Sequence, residues 1–504
     1  MKTQLTLLHN GSSTCVRTGP ELGRQPVLAL LTRILCAAGF VLSAFCAQAG
    51  VVFTSLYSFT GTNDGAWPVA GLVRGSDGYF YGTTQYGGTN GWYGTVFKIS
   101  TNGALTTLYS FTGGNDGANP QAGLVQGGGG NFYGTTTPSS WGYGGPGFGT
   151  VFKISTNGML TTLYSFTYGN DGAGPCGTLV QGSDGYFYGT TQGGGTNGVG
   201  TVFRISTNGV CTSLYSFNWN EGYNPGPYGL VQGNDGYLYG TTEGGGTNDY
   251  GTVFKISTNG VLTTLYEFGT VTEYGESLDG AYPLAGLVQG SDGYFYGTTS
   301  GGGMFIGGTA FKISTNGTLT TLYAFSGGGL AGIGSGICPN GLVQGSDGNF
   351  YGTTEYDGLR WVFDWGYETF GYGTVFEIST NGAFTSLYSF DTGTGTNGAN
   401  PYAGLVQASD GSFYGTTEYG GTYGNGTIFR LTIMPEPQLT IIPFGPYVLL
   451  TWPTNTFVFT LQSSTSLDSS ANWNTNSLAP VVIGGQNVVV NPVTGPQMFF
   501  RLSQ

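Results

Sequence analysis

Six tryptophans of this chain fall outside any repeating pattern: Trp67, Trp92, Trp141, Trp219, Trp361 and Trp365. All six lie in connections of variable length. The longest connection, Glu355 to Gly373, adds Tyr356, Arg360, Phe363, Asp364, Tyr367, Phe370 and Tyr372 to Trp361 and Trp365. Indoles among Gly, Asn, Asp and Glu suit sugar binding. The flat apolar faces of pyranose rings stack on them, and carboxylates and amides take the hydroxyls. The expected ligand-binding residues are therefore Trp67, Trp92, Trp141, Trp219, Arg360, Trp361, Asp364 and Trp365. The plainer reading is that these rings pad their own loops. Arg360 is the single cation read onto this face, which points to a neutral glycan over a uronic or sulfated one.

Carboxylates offer a second chemistry. Glu243, Glu355 and Glu418 each follow a Thr-Thr pair, and with Asp357 and Asp364 they form the acid/base set that glycoside cleavage would need. Their spacing is not diagnostic, and no catalytic residue is assigned. Asp77, Asp184, Asp235, Asp292, Asp347 and Asp410 sit in Asp-Gly or Asp-x turns. Asp64, Asp116, Asp171, Glu221 and Asp279 recur ahead of each new repeat. A turn role is expected for them, with calcium ligation as the alternative. No other cofactor is expected. Lys98, Lys153, Arg204, Lys255, Lys312 and Arg430 share one strand position, where Glu377 replaces them once. A solvated or bridging role is expected there.

The N-terminus reads as a leader. Residues Val27 to Ala49 are mostly apolar, interrupted by Arg33, and end in Ala47-Gln48-Ala49, a small-x-small cleavage site before Gly50. A retained membrane anchor is the alternative. Cleavage would take the only histidine, His9, with it. It would also remove four of the 13 basic residues and one of the 26 acidic ones, leaving nine and 25, a net charge of −16. Without histidine there is no Ser-His-Asp triad and no His-ligated metal. So acidic a chain is repelled by nucleic acid and anionic membranes. Cys176, Cys211 and Cys338 remain, and their places in the repeats predict three free thiols.

The elements that carry these residues repeat seven times. Tyr-Gly-Thr-Thr starts at Tyr81, Tyr133, Tyr188, Tyr239, Tyr296, Tyr351 and Tyr414. Gly-Thr-(Val/Ala/Ile)-Phe starts at Gly94, Gly149, Gly200, Gly251, Gly308, Gly373 and Gly426, at spacings of 55, 51, 51, 57, 65 and 53 residues. Leu-Tyr-(Ser/Glu/Ala)-Phe closes each unit. Ser-Asp-Gly and Thr-Asn-Gly supply hairpin turns between strands one and two and strands three and four. The connections of variable length then share the other face. Four short strands per repeat, at such a period, predict a seven-bladed β-propeller over residues 50–432. Val52 to Phe59 is a fourth strand with no preceding three, and the last repeat stops after three. The N-terminal strand is therefore expected to complete the seventh blade, leaving no free sheet edge.

The string Gly-Leu-Val-Gln-Gly-Ser-Asp-Gly-x-Phe-Tyr-Gly-Thr-Thr, with Gly-Thr-Val-Phe-Lys-Ile-Ser-Thr-Asn-Gly and Leu-Tyr-Ser-Phe, resembles the bacterial GloVer-type repeat of "choice-of-anchor tandem repeat" proteins. That resemblance implies an exported bacterial protein with a variable C-terminal anchoring module, and no catalytic residue. After a linker at 433–440, residues 441–504 alternate β-prone runs and predict a small β-sandwich with Trp452 and Trp473 in its core. The pattern resembles a β module that ends many exported bacterial proteins. The chain is thus expected to be an exported recognition or adhesion protein, secreted or at the cell surface. Its expected partner is a neutral glycan or a cell-surface protein. A carbohydrate-active enzyme and a purely structural surface protein are the alternatives.

Overall fold

The computed structural model describes residues 14–17, 48–138, 147–226, 229–269, 277–326, 335–356, 359–360, 369–390, 395–435, 438–454, 459–466, 472–476, 478–492 and 497–503. Trp141, Asp357, Trp361, Asp364 and Trp365 lie outside them. The chain divides into two compact units. One is Phe53–Thr432, and the other combines Met1–Val52 with Ile433–Gln504. Among the described residues no helix is long and apolar enough to cross a membrane.

The larger unit is all-β. Its first sheet runs Val73–Arg74, Phe80–Thr84, Thr95–Ile99, Leu105–Ser110, antiparallel throughout. The same order recurs in sheets whose first strands begin at Val125, Val180, Val231, Val288, Val343 and Val406. The two central strands are covered on both faces. Phe80–Thr84 is buried at every position, and Thr95–Ile99 at all but Lys98. Buried threonine hydroxyls need partners, and they find each other: Thr84 Oγ1 and Thr95 Oγ1 are 2.8 Å apart, as are their counterparts Thr417 and Thr427. In the fourth sheet these strands are Val231–Gln232, Leu238–Gly244, Thr252–Ile256 and Leu262–Glu267.

Each sheet packs on the next through one repeated contact. The Tyr of Tyr-Gly-Thr-Thr packs on the residue that opens the following sheet's second strand, a phenylalanine ring at six junctions and Leu238 beside Tyr188 at the other. Tyr81 lies 3.9 Å from Phe132, Tyr239 3.9 Å from Phe295 and Tyr351 4.2 Å from Phe413. The contact also runs from the last sheet to the first, with Tyr414 4.3 Å from Phe80. The tyrosine hydroxyl reaches the turn below and donates to its aspartate, as Tyr81 does to Asp77 at 2.7 Å. The Asp-Gly turn residues are therefore structural.

The chain's first propeller strand, Gln48–Ser58, is the outer strand of the sheet formed by Val406–Gln407, Phe413–Thr417 and Thr427–Pro435. Phe59 N donates to Gly426 O at 3.0 Å at its end. The N-terminal strand thus completes the last sheet, as its isolated fourth-strand signature predicts.

The smaller unit is a two-sheet sandwich. One sheet is Thr440–Phe444, Tyr447–Pro453, Gln486–Pro492 and Val481–Ile483; the other is Thr14–Arg17, Gln497–Ser503, Thr460–Ser464 and Asn474–Thr475. Val448, Leu450, Trp452, Leu461, Val489 and Phe500 form the shared core. Trp473 departs from expectation: it is half-buried, with the Arg501 guanidinium 4.3 Å above its ring. The strand Thr440–Phe444 begins at the last residue of the expected linker 433–440. It is half-exposed, so its alternation is weak.

Candidate functional site

Ahead of each sheet's two-residue first strand runs an Ala-x-Pro segment or a variant of it. The x residues are Trp67, Asn119, Gly174, Asn224, Tyr282, Cys338 and Asn400, and every one has positive φ, between 48° and 64°. The fold imposes this. The x residue's N–H donates to the carbonyl just before the third strand of the preceding sheet: Trp67 to Asn425 at 3.0 Å, Asn119 to Tyr93 at 2.8 Å, Asn400 to Tyr372 at 2.8 Å. Asn and Gly adopt this backbone region readily, whereas a bulky residue is an outlier there. Trp67, Tyr282 and Cys338 are therefore not conformational choices.

Trp67 sits half-buried between two tyrosines. Its ring is edge-to-face with Tyr86 at 4.9 Å and with Tyr419 of the last sheet at 5.3 Å. Trp92 extends this cluster, 6.5 Å from Tyr86 and 60% exposed. Tyr419 is also exposed. Trp219 belongs to a separate patch in the fourth sheet, 63% exposed and 5.0 Å from Tyr223. Of the expected tryptophans, the structure thus brings Trp67 and Trp92 together and leaves Trp219 apart. Tyr86 and Tyr419 are absent from the expected set. Their signal is positional, since both follow directly on the residue after Thr-Thr.

Two expected carboxylates meet this cluster. Glu418 N donates to Asn400 O at 3.0 Å, and Asn400 Nδ2 donates to Glu355 O at 3.1 Å, tying the sixth and seventh sheets together. Burial raises both carboxyls above their usual range, with Tyr356 and Tyr419 hydroxyls opposing through hydrogen bonds. The charge of Glu355 adds to the rise at Glu418. Burial first, then Glu418, Glu355 and Tyr86, push the Tyr419 phenol up to about 12. Those couplings place Glu355, Glu418, Tyr419 and Tyr86 in one neighbourhood. Glu243 stands in the fourth sheet and accepts from Asn224 Nδ2 at 3.1 Å. The three glutamates therefore do not form one site.

Arg360 lies in the short strand Leu359–Arg360, paired with Thr369–Phe370. This hairpin continues from the strand Phe350–Tyr356, which ends on Glu355 and Tyr356. The long connection thus springs from the same neighbourhood, while Trp361, Asp364 and Trp365 lie outside the described residues.

The recurrent acids ahead of each repeat are braces. Asp64 Oδ2 accepts from Tyr57 at 3.0 Å and from Thr60 N at 2.8 Å, and Asp116 and Asp171 repeat the pattern. Among the described residues no group of three His, Cys, Asp or Glu side chains could hold a metal. The strand-three cations cover tyrosine rings, Lys98 over Tyr79 at 5.1 Å for example. Lys255 also donates to Thr315 O in the next sheet at 3.2 Å, a bridging role.

The family model for the Gloeobacter/Verrucomicrobia repeat matches residues 43–226, 226–393 and 279–448. No curated protein matches the chain. Among solved structures, it is similar to a protein of unknown function from Dyadobacter fermentans, with TM-score 0.38, 10% identity, and 76% of this chain and 100% of that one covered. It is also similar to the PQQ domain of pyranose dehydrogenase from Coprinopsis cinerea, with TM-score 0.35, 11% identity, and coverage of 77% and 97%. The propeller assignment stands on the chain's own sheets.

Proposed function

The chain belongs to the Gloeobacter/Verrucomicrobia repeat family, and from that premise we propose an exported, non-catalytic recognition protein that binds a neutral polysaccharide through its variable connections. One observation carries this reading. Indoles and phenols that the blade cores do not need, Trp92, Trp219 and Tyr419, are exposed on those connections. Large aromatic rings grouped in water mark an interaction site, and sugar rings are a ligand that stacks on them. Export rests on the leader pattern ending at Ala49.

The test is a glycan array probed with the purified protein. Binding to neutral polysaccharides, and not to uronic or sulfated ones, is the expected result. No binding to any glycan would overturn the reading.

Glycoside cleavage is the second reading. It is favoured by the two carboxyls, Glu355 and Glu418, that burial raises in neighbouring sheets. A carboxyl with a raised pKa is the better proton donor to a leaving oxygen, while an ionised one activates water. Release of reducing sugar from a bound polysaccharide, lost in Glu418→Gln, would establish it.

A further inference from the structure

The seven equivalent positive-φ positions allow a comparison within one molecule. Asn occupies three of them and Gly one, the residues this backbone accepts most easily. Trp67 holds the same conformation, at φ 58°, and the same N–H tether to the preceding sheet. A non-glycine residue is disfavoured there, and Asn offsets this with local hydrogen bonding where Trp does not. Trp67, Tyr282 and Cys338 keep this strain at three of the seven positions, and of these Trp67 sets its indole between the rings of two sheets. Strain kept where the repeat elsewhere uses Asn or Gly points from the outlier to a function.

The surroundings say which function. The indole edge-packs against Tyr86 and Tyr419, which orient it. Glu418, which precedes Tyr419, and its neighbour Glu355 supply acceptor oxygens but no cation. An anionic sugar would meet two carboxylates in a chain of net charge −13, so the matching ligand is uncharged and rich in hydroxyls.

We propose that the junction of the sixth, seventh and first sheets is the primary saccharide subsite, with Trp67 and Tyr419 as the stacking platform for a neutral pyranose and Glu355 and Glu418 as its hydroxyl acceptors. This rests on the polysaccharide-binding reading and locates it. The Trp219 patch in the fourth sheet is then secondary.

The decisive variant is Trp67→Asn, which installs the residue already present at Asn119, Asn224 and Asn400. Wild type, Trp67→Asn and Trp219→Ala are compared by affinity electrophoresis through gels containing xylan, laminarin or galactomannan, and by thermal melting. The expected result is a retardation constant for Trp67→Asn weakened tenfold or more, with an unchanged or higher Tm, while Trp219→Ala changes binding less than threefold. Retained retardation in a folded Trp67→Asn protein overturns the subsite and leaves the polysaccharide reading intact. A clear fall in Tm for Trp67→Asn also overturns it, because the indole would then be a packing residue. Failure of the wild type to be retarded by any of the three polymers overturns both.

Discussion

Arg74 Nη2 donates to Ser409 Oγ at 3.0 Å, joining the first strand of the first sheet to a turn of the last, 335 residues away in sequence. Elsewhere a glutamine makes this bond between adjacent sheets: Gln126 Nε2 to Ser76 Oγ at 3.1 Å, Gln344 Nε2 to Ser291 Oγ at 3.2 Å. The junction of the last sheet with the first is thus clamped as the others are. A second contact repeats there too. A Cβ on Gly103 would lie 2.6 Å from Leu56 O, as one on Gly260 would from Leu214 O.

Deleting residues 50–59 removes the outer strand of the seventh sheet and exposes the edge of Thr427–Pro435. Loss of a single cooperative melt, or aggregation on a sizing column, is expected. The point variant Arg74→Ala touches only an exposed bond and should shift stability by less than about 1 kcal/mol. A deletion variant that melts like wild type would show that the strand does not hold the last sheet.

Gly260→Ala should destabilise more than a surface substitution. The residue has φ 92°, which alone costs about 1–2 kcal/mol for a non-glycine residue, and the new methyl meets the Leu214 carbonyl. Gly236→Ala, at φ 83° with nothing near the new methyl, isolates the conformational part. Denaturant melts of both variants should rank Gly260→Ala below Gly236→Ala. Equal losses would refute the close approach.

Cys176, Cys211 and Cys338 are free. Burial pushes the first two thiols up to about 12 and Cys338 up to about 11. A raised pKa leaves less thiolate at pH 8, and thiolate is the reactive form. Iodoacetamide should label all three in denaturant and none rapidly in the native protein, with Cys338 first as pH rises. Peptide mapping of the labelled chain checks both the count and the order. A disulfide-linked peptide among these three, or fast native labelling of Cys176, would contradict the structure.

Glu355 and Glu418 have carboxyls raised by burial, so the folded state holds their protons more tightly than the unfolded state does. Stability from this source is present below the ordinary glutamate pKa of 4.5 and is lost as pH rises through the folded pKa. Glu418→Gln removes the ionisation. Its Tm should exceed that of wild type at pH 7 and match it near pH 4. A Tm difference that does not change with pH would mean that burial does not act on this carboxyl's charge.

The strands, the hairpins and the shared outer strand were legible in the chain because their causes are local. Asp-Gly and Asn-Gly set tight turns, Thr- and Tyr-rich runs favour strands, and repetition at about 50 residues shows which runs belong together. The lone fourth-strand signature at Val52 to Phe59 even announced how the last sheet is completed. The sequence likewise marked Trp67, Trp92 and Trp219 as residues outside the repeat. It carried no sign that Trp67 and Trp92 share one cluster while Trp219 stands alone. Nor did it show that the charge of Glu355 reaches Glu418 while Glu243 stands in the fourth sheet. Trp67 and Tyr419 meet although 352 positions separate them, because the last sheet packs on the first. Aligning the seven Ala-x-Pro segments would have flagged Trp67, with Tyr282 and Cys338, as neither Asn nor Gly, but the positive φ of Trp67 comes with a hydrogen bond to Asn425. Local chemistry determines what each repeat folds into. Only the packing of one repeat on another decides which side chains become neighbours, since those contacts depend on sheet order in space and not on distance along the chain.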